Sequence, residues 1–260
     1  MKAKKFIISA LTLLIAFGLA ACGNNSESSS KSNDSQSASN SAVYALSSAI
    51  YYDSNGKVTS ETKNEYNDKG NLVKQHIVSQ SESGDKIEAT IFTDDFNDEG
   101  YPQKSTRVDM NETAEVSYAI ENGHAIETKV NSITSITSTY YPNGVMQSQT
   151  NYGKNGKDLL RVVEYDENGY TTKMTNYGDT TSNLTYEWSF DDNGYAKGCE
   201  IKASSPDAPT TMSYSLAVEC DEHGNIIRML RDGKLYADLS YVKIENPSVN
   251  TWVESQKTPR

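Results

Sequence analysis

Three cysteines, three histidines and 35 acidic residues are the side chains that could do chemistry in this chain of 260. The midpoint between Cys199 and Cys220 falls inside the turn-like stretch Ser205 to Thr210. Strands paired across such a turn set the two thiols opposite each other, which predicts a cross-strand disulfide between Cys199 and Cys220. Neither cysteine has a histidine beside it in sequence, so neither reads as a catalytic nucleophile. His76, His124 and His223 are scattered, with no two at metal-ligand spacing. The acidic turns around Asp94 to Glu99 and Asp191 to Asn193 lack the alternating ladder of oxygens that a calcium loop uses. Aspartate and asparagine are favoured at turns for their own hydrogen bonding. No nucleophile elbow, phosphate-cradling glycine loop or zinc-protease helix occurs. The chain therefore reads as non-enzymatic, with no cofactor and no metal. Two carboxylates facing each other across a groove could still hydrolyse a glycoside.

The third cysteine, Cys22, belongs to a different element. Sixteen apolar or small residues, Phe6 to Ala21, follow Lys2, Lys4 and Lys5 and stop at Leu19-Ala20-Ala21-Cys22. A basic start, an apolar run and small residues before a cleavage point make a secretory signal over residues 1–21. The run is short for a bilayer-spanning helix, which needs about 20 apolar residues. Leu19-Ala20-Ala21-Cys22-Gly23 resembles the bacterial lipobox. That resemblance implies a thioether-linked diacylglycerol (and palmitate-type acylation) on Cys22 as first mature residue. The protein would then be anchored to the outer face of a plasma membrane or to an outer membrane.

Removing residues 1–21 takes away three lysines and no acids, so the formal charge moves from -11 to -14. Nucleic acid is excluded as a partner, since its affinity comes largely from Lys and Arg neutralising phosphates. An anionic lipid surface repels such a chain too, which leaves the lipid on Cys22 as the membrane contact. Residues 24–42 contain 13 Ser or Asn in 19 and read as a disordered tether. The r.m.s. span of such a coil is roughly 24 Å.

From residue 43 to 260 one turn recurs. An aromatic stands four residues before Gly56, Gly70, Gly100, Gly144, Gly156, Gly169 and Gly194, and Cys220 stands four before Gly224. Aspartate or asparagine bonds the turn through its own backbone, and glycine supplies the left-handed residue. The glycines are 14, 30, 44, 12, 13, 25 and 30 residues apart, so the wider gaps hold two or more strands with plainer turns between. The intervening segments alternate in period two. Tyr44, Leu46, Ile50 and Tyr52 form one face, Leu184, Tyr186, Trp188 and Phe190 another, and Met212 to Cys220 a third. A two-residue turn at Asn193-Gly194 would pair Trp188 with Cys199 and Tyr186 with Ile201, joining apolar faces. The expected fold is all-β, an antiparallel meander of hairpins that curls into an open sheet or partial barrel. The tail from Ser248 ends as a last edge strand around Trp252 or frays.

The recurring turn resembles the YD repeat of bacterial surface and Rhs-type proteins, whose core is Tyr-Asp-x-x-Gly followed by a strand. The match runs over roughly residues 44–230, with irregular spacing, and the common Gly-Asn continuation appears at Gly70-Asn71 and Gly224-Asn225. The expected function is a non-catalytic binding module, with an envelope protein or glycan as partner and tyrosines as its contact surface. The second reading is a half-barrel carrier of a lipid or other hydrophobic ligand.

Overall fold

The computed structural model describes residues 20–21, 43–80, 84–178, 180–206 and 208–245. Cys22, the remainder of the signal and tether, and the tail beyond 245 lie outside the described residues. The strands are β1 (Ala20–Ala21), β2 (Val43–Tyr52), β3 (Val58–Tyr66), β4 (Leu72–Gln80), β5 (Lys86–Phe96) and β6 (Pro102–Arg107). They continue with β7 (Glu112–Glu121), β8 (His124–Val130), β9 (Ile133–Tyr140), β10 (Met146–Tyr152), β11 (Leu159–Tyr165) and β12 (Thr171–Asn176). The last are β13 (Ser182–Phe190), β14 (Ala196–Ser205), β15 (Ala208–Cys220), β16 (Ile226–Arg231) and β17 (Lys234–Ile244). All pairs are antiparallel, and from β2 onward each strand pairs with the next.

The sheet closes. β17 pairs with β2 through eight register partners, from Ala237–Tyr51 to Ile244–Val43. The 16 strands β2 to β17 thus form a complete barrel rather than the open sheet or partial barrel expected from the sequence. Closure removes both edges, which otherwise offer unpaired backbone groups to other chains. β1 is a two-residue bridge on Tyr44 and Ala45 of β2.

Six of the eight recurring turns open on an aspartate or asparagine and close with the same pair of backbone hydrogen bonds. In the first, the Gly56 amide donates to the Asp53 carbonyl and the Asp53 amide to the Lys57 carbonyl. The Asp53 Oδ1 accepts the amides of Asn55 and Lys57 at 2.8 and 2.9 Å. These donors hold the Asp53 carboxyl below its usual range. Asn67, Asp166, Asp191 and Asp221 repeat the pattern. All eight glycines have positive φ, between 69° and 86°. Gly224 is doubly constrained, because a Cβ there would lie 2.8 Å from the Tyr195 ring.

The turn at Asp191 to Tyr195 is one residue longer than the tight turn expected at Asn193-Gly194. The Gly194 amide bonds the Asp191 carbonyl, and a bulge follows between Ser189 and Phe190 on the register. The bulge offsets the extra loop residue. Trp188 therefore faces Cys199 and Tyr186 faces Ile201, as the apolar pattern requires. A bulge also corrects the face expected for β2. The register shifts between Ser240 and Tyr241, so Leu46 joins Ala49 and Tyr51 inside, while Ile50 points out opposite Asp238.

Because hairpins alternate, the repeat turns at Asn67, Asn97, Tyr141, Asp166, Asp191 and Asp221 all lie at one end of the barrel. The chain enters β2 at this same end, called here the entry end. Those at Asp53 and Gly153 lie at the far end. Three two-residue turns have both φ values positive, Asn122-Gly123 at the entry end and Asn131-Ser132 and Asp232-Gly233 at the far end. Mirror-image turns of this kind match the twist of paired strands.

Aromatic side chains lace the entry end from one hairpin to the next. Tyr66 donates its hydroxyl to the Leu46 carbonyl at 2.8 Å, Tyr141 to Tyr165 at 2.8 Å and Tyr195 to Glu222 at 3.2 Å. Tyr140 donates to Ala125 at 3.1 Å, Tyr241 to Ile226 at 3.1 Å, and the Trp188 indole to Thr171 at 2.8 Å. His223 stacks on Tyr44 with ring centroids 4.3 Å apart, which carries the lacing across the closing seam. Burial raises the hydroxyl pKa of Tyr66 and Tyr241, so both stay protonated donors.

Candidate functional site

The two faces of the wall differ in chemistry. Inside, the apolar cluster is built by β2 and β10 to β17, with Leu46, Ile201, Leu216, Met229 and Ala237 fully buried. Large residues cover small ones across the register, as Tyr51 does Ala237 and Leu239 does Ala49. The inner face of β3 to β6 mixes buried Ile91 and Ala89 with polar side chains, several of them hydrogen-bonded to one another. Gln75 donates to Asn64 at 3.1 Å, and Asn64 to the Leu46 carbonyl at 2.9 Å. Thr93 donates to the Leu72 carbonyl.

Outside, charged residues alternate with small polar ones along the strands. Lys202 meets Glu187 at 2.8 Å, Arg228 meets Glu219 and Asp238, Lys74 meets Glu65, and Lys173 meets Glu164. A bilayer-spanning barrel carries an apolar outer band about 25 Å tall, with costs of roughly 2–4 kcal/mol for Arg or Lys at its middle. Over β2 and β10 to β17 the wall has the opposite polarity, apolar within and charged without. It suits water outside.

The inner face is shut at the entry end and exposed at the far end. Tyr101, Tyr170 and Asn225 are fully covered beside the entry-end turns. At the far end, inward positions are open, with Met212 67% exposed and Ile87 44%. Tyr214, Tyr236 and Leu184 are half-buried there against the cluster. Arg161, in register with Asn151 and Asn176, and Arg231, in register with Leu216, also occupy inner positions and are exposed. Arg231 lies over the Tyr214 ring, 3.9 Å from its centroid. This far-end recess of aromatic, apolar and guanidinium groups is the candidate site.

A third inward arginine, Arg107, is buried in the polar half. Its Nε and Nη2 donate to the Asp109 carboxylate at 2.7 to 3.0 Å, and its Nη1 has no partner. The guanidinium holds the Asp109 carboxyl below its usual range, chiefly by hydrogen bonding. Ser105 Oγ, two residues deeper on the same face, is likewise buried without a partner.

The predicted site residues have been placed as follows. Cys199 and Cys220 are both free thiols, which corrects the expected disulfide. β14 and β15 turn at Ser205–Ala208, earlier than the centre assumed, so Cys199 faces Leu216 and Cys220 faces Ile226. Burial pushes the Cys199 thiol up to about 12, which leaves it protonated and a poor nucleophile. The turn glycines define turns and sit at both rims. Among the described residues, no three His, Cys, Asp or Glu are placed to hold a metal ion. The oxygens of Asn97 and Asp191 accept amides of their own turns. Tyr52, Tyr66, Tyr140 and Tyr152, strand-ending residues beside the turns, bond to the barrel itself, and Tyr165 is buried. Sequence reading missed Arg161 and Arg231. Their signal was a charge in step with an apolar face, two residues from Val163 and two from Met229.

No protein-family model matches the chain, and no curated protein does. Among solved structures it is similar to a porin-like protein from Bacteroides uniformis, at 12% identity and a TM-score of 0.30. That alignment covers 79% of this chain and 94% of the other.

Proposed function

We propose that the protein is a lipid-anchored, extracytoplasmic and non-catalytic binding protein whose barrel takes its ligand at the far end. The observation that carries this reading is the polarity of the wall over β2 and β10 to β17, charged outside and apolar inside, with the inner face exposed at the far end. Strand number alone would leave an aqueous channel in a 16-stranded barrel, but here inward residues such as Ile201 and Leu216 are buried against one another. This favours the carrier reading of the sequence, now with a full barrel in place of a half-barrel. A lipid on Cys22 and a tether over residues 24–42 would join the barrel at its entry end and let it stand off the membrane surface without fixing its orientation. Cleavage before Cys22 would remove β1 with the signal.

The reading is tested by expressing the chain in a bacterium and comparing it with Cys22→Ser. The expected mature protein starts at Cys22 with a diacylglycerol, Cys22→Ser carries no acyl group, and a form lacking residues 1–22 is soluble. Retention of that shortened form in the membrane after a salt wash would contradict the reading, since only a wall embedded in lipid then holds it. The soluble variant should also bind one equivalent of an apolar fluorescent dye.

A further inference from the structure

We propose that the far rim of the barrel docks on the surface of a lipid bilayer, so that the recess opens onto the membrane. This rests on the binding reading above and names the partner at its open end. Six consecutive far-end turns, from β2–β3 to β12–β13, each present an exposed apolar side chain in the turn or within two residues of it. These are Val58, Ile87, Met110, Ile133, Leu160 and Tyr177, each 36–45% exposed. By the same measure the seven entry-end turns present two among the described residues, Phe190 and Ile227. The meander alternates, so the six side chains lie along one rim as an arc. A compact apolar patch suits a globular partner, whereas an arc spread over six hairpins meets a flat surface.

Charge also distinguishes the two rims. Taking each turn with one strand residue on either side, the entry end carries ten acids and one lysine, a net charge of -9. The far end carries nine acids and seven Lys or Arg, a net charge of -2. The charge that repels the whole chain from an anionic surface is therefore concentrated at the opposite end, which turns the far rim toward lipid. Cations stand beside the apolar residues there, Lys57 before Val58, Lys86 before Ile87 and Lys157 three before Leu160. Long basic side chains reach lipid phosphates while their apolar neighbours dip below them. Lysine is depleted in protein interfaces, so this composition fits a bilayer better than a second copy of the chain.

The expected tether permits this orientation. β2 spans ten residues, about 33 Å along the strand and roughly 25 Å along the axis at the tilt of barrel strands. A coil over residues 24–42 spans roughly 24 Å, so a lipid on Cys22 and the far rim can reach one bilayer. Rim contact of this kind is shallow, reversible and lost on washing. It orients the anchored barrel without replacing the anchor.

The test uses the form lacking residues 1–22, which keeps the whole barrel, in a Cys220→Ser background. A nitrobenzoxadiazole label, sensitive to its surroundings, is placed on Met110→Cys at the far rim or on Glu222→Cys at the entry end. Vesicles of phosphatidylcholine, with and without phosphatidylglycerol, are then titrated in. The expected result is a blue shift and a gain of fluorescence at Met110→Cys and none at Glu222→Cys. Ile133→Asp/Leu160→Asp should weaken vesicle binding about tenfold with an unchanged circular dichroism spectrum, and Ile227→Asp should leave it unchanged. A Met110→Cys label indifferent to vesicles, equal responses from the two labels, or binding indifferent to the double substitution overturns the inference. A shift at Met110→Cys on raising protein concentration without lipid also overturns it, in favour of a second copy on the same rim. Each of these results leaves the binding reading standing, because uptake of the apolar dye tests that reading separately.

Discussion

Asp109→Ala is expected to destabilise the barrel by about 3 kcal/mol, because it strands the Arg107 guanidinium inside the wall. Arg107 is only 4% exposed, and Asp109 is its single carboxylate partner among the described residues. Removing one member of a buried pair costs roughly 3–5 kcal/mol, and the lower figure applies because Asp109 is 31% exposed and partly screened. Against a total stability of about 5–15 kcal/mol this is a large loss. Arg107→Met/Asp109→Ala should recover most of it, since no uncompensated charge remains. The pH dependence has a definite sign. The folded Asp109 carboxyl lies below its ordinary 3.8, so its contribution is complete above that value. It is lost as pH falls through the lower folded value, and the gap between wild type and Asp109→Ala should close only in strong acid. Denaturant midpoints measured against pH check both statements, and a cost below about 1 kcal/mol would make this an ordinary surface pair.

Ile201→Ala should cost about 2–5 kcal/mol, the range for emptying a packed site of this size. Ile201 is 0% exposed and stands in register between Tyr186 and Tyr214, two rigid rings that cannot collapse easily onto a smaller residue. Its neighbour Lys202 points outward to Glu187 and Glu200, and Lys202→Ala should cost less than about 1 kcal/mol. Adjacent residues of one strand thus report the two faces of the wall. Equal effects, or a larger loss at Lys202, would mean that the assignment of inside and outside is wrong.

The turns and most of the alternation were legible in the sequence because both are local. Asp191 to Gly194 announces a hairpin through the aspartate and glycine it contains, and β13 and β14 find their register from apolar faces that must coincide. The faces were even read correctly with the wrong turn, because the bulge after Ser189 restores the parity that the longer loop disturbs. Elsewhere the same device misled. An unannounced bulge at Ser47 turned Leu46 inward and Ile50 outward. The cysteine pairing failed for a related reason, since the centre of a turn decides every partner along two strands, and the one near Pro206 lies three residues before the midpoint of the two cysteines. Asp232-Gly233 was legible as a two-residue turn and went unread. Closure was not legible, because β2 and β17 are joined by pairing between residues almost 200 positions apart. The arginine recess needed closure first, for only then do Arg161 and Arg231 share an inside.

The most direct test of the central claim, a closed ring with its apolar face inside, is the distance between β2 and β17. Ser48 and Ser240 are register partners across the seam and point outward. Spin labels on Ser48→Cys and Ser240→Cys, in a Cys220→Ser background, should give a distance below about 20 Å by pulsed electron resonance. The same strands laid out as an open sheet would separate these positions by roughly 70 Å at 4.8 Å per strand, and a distance in that range would contradict the account.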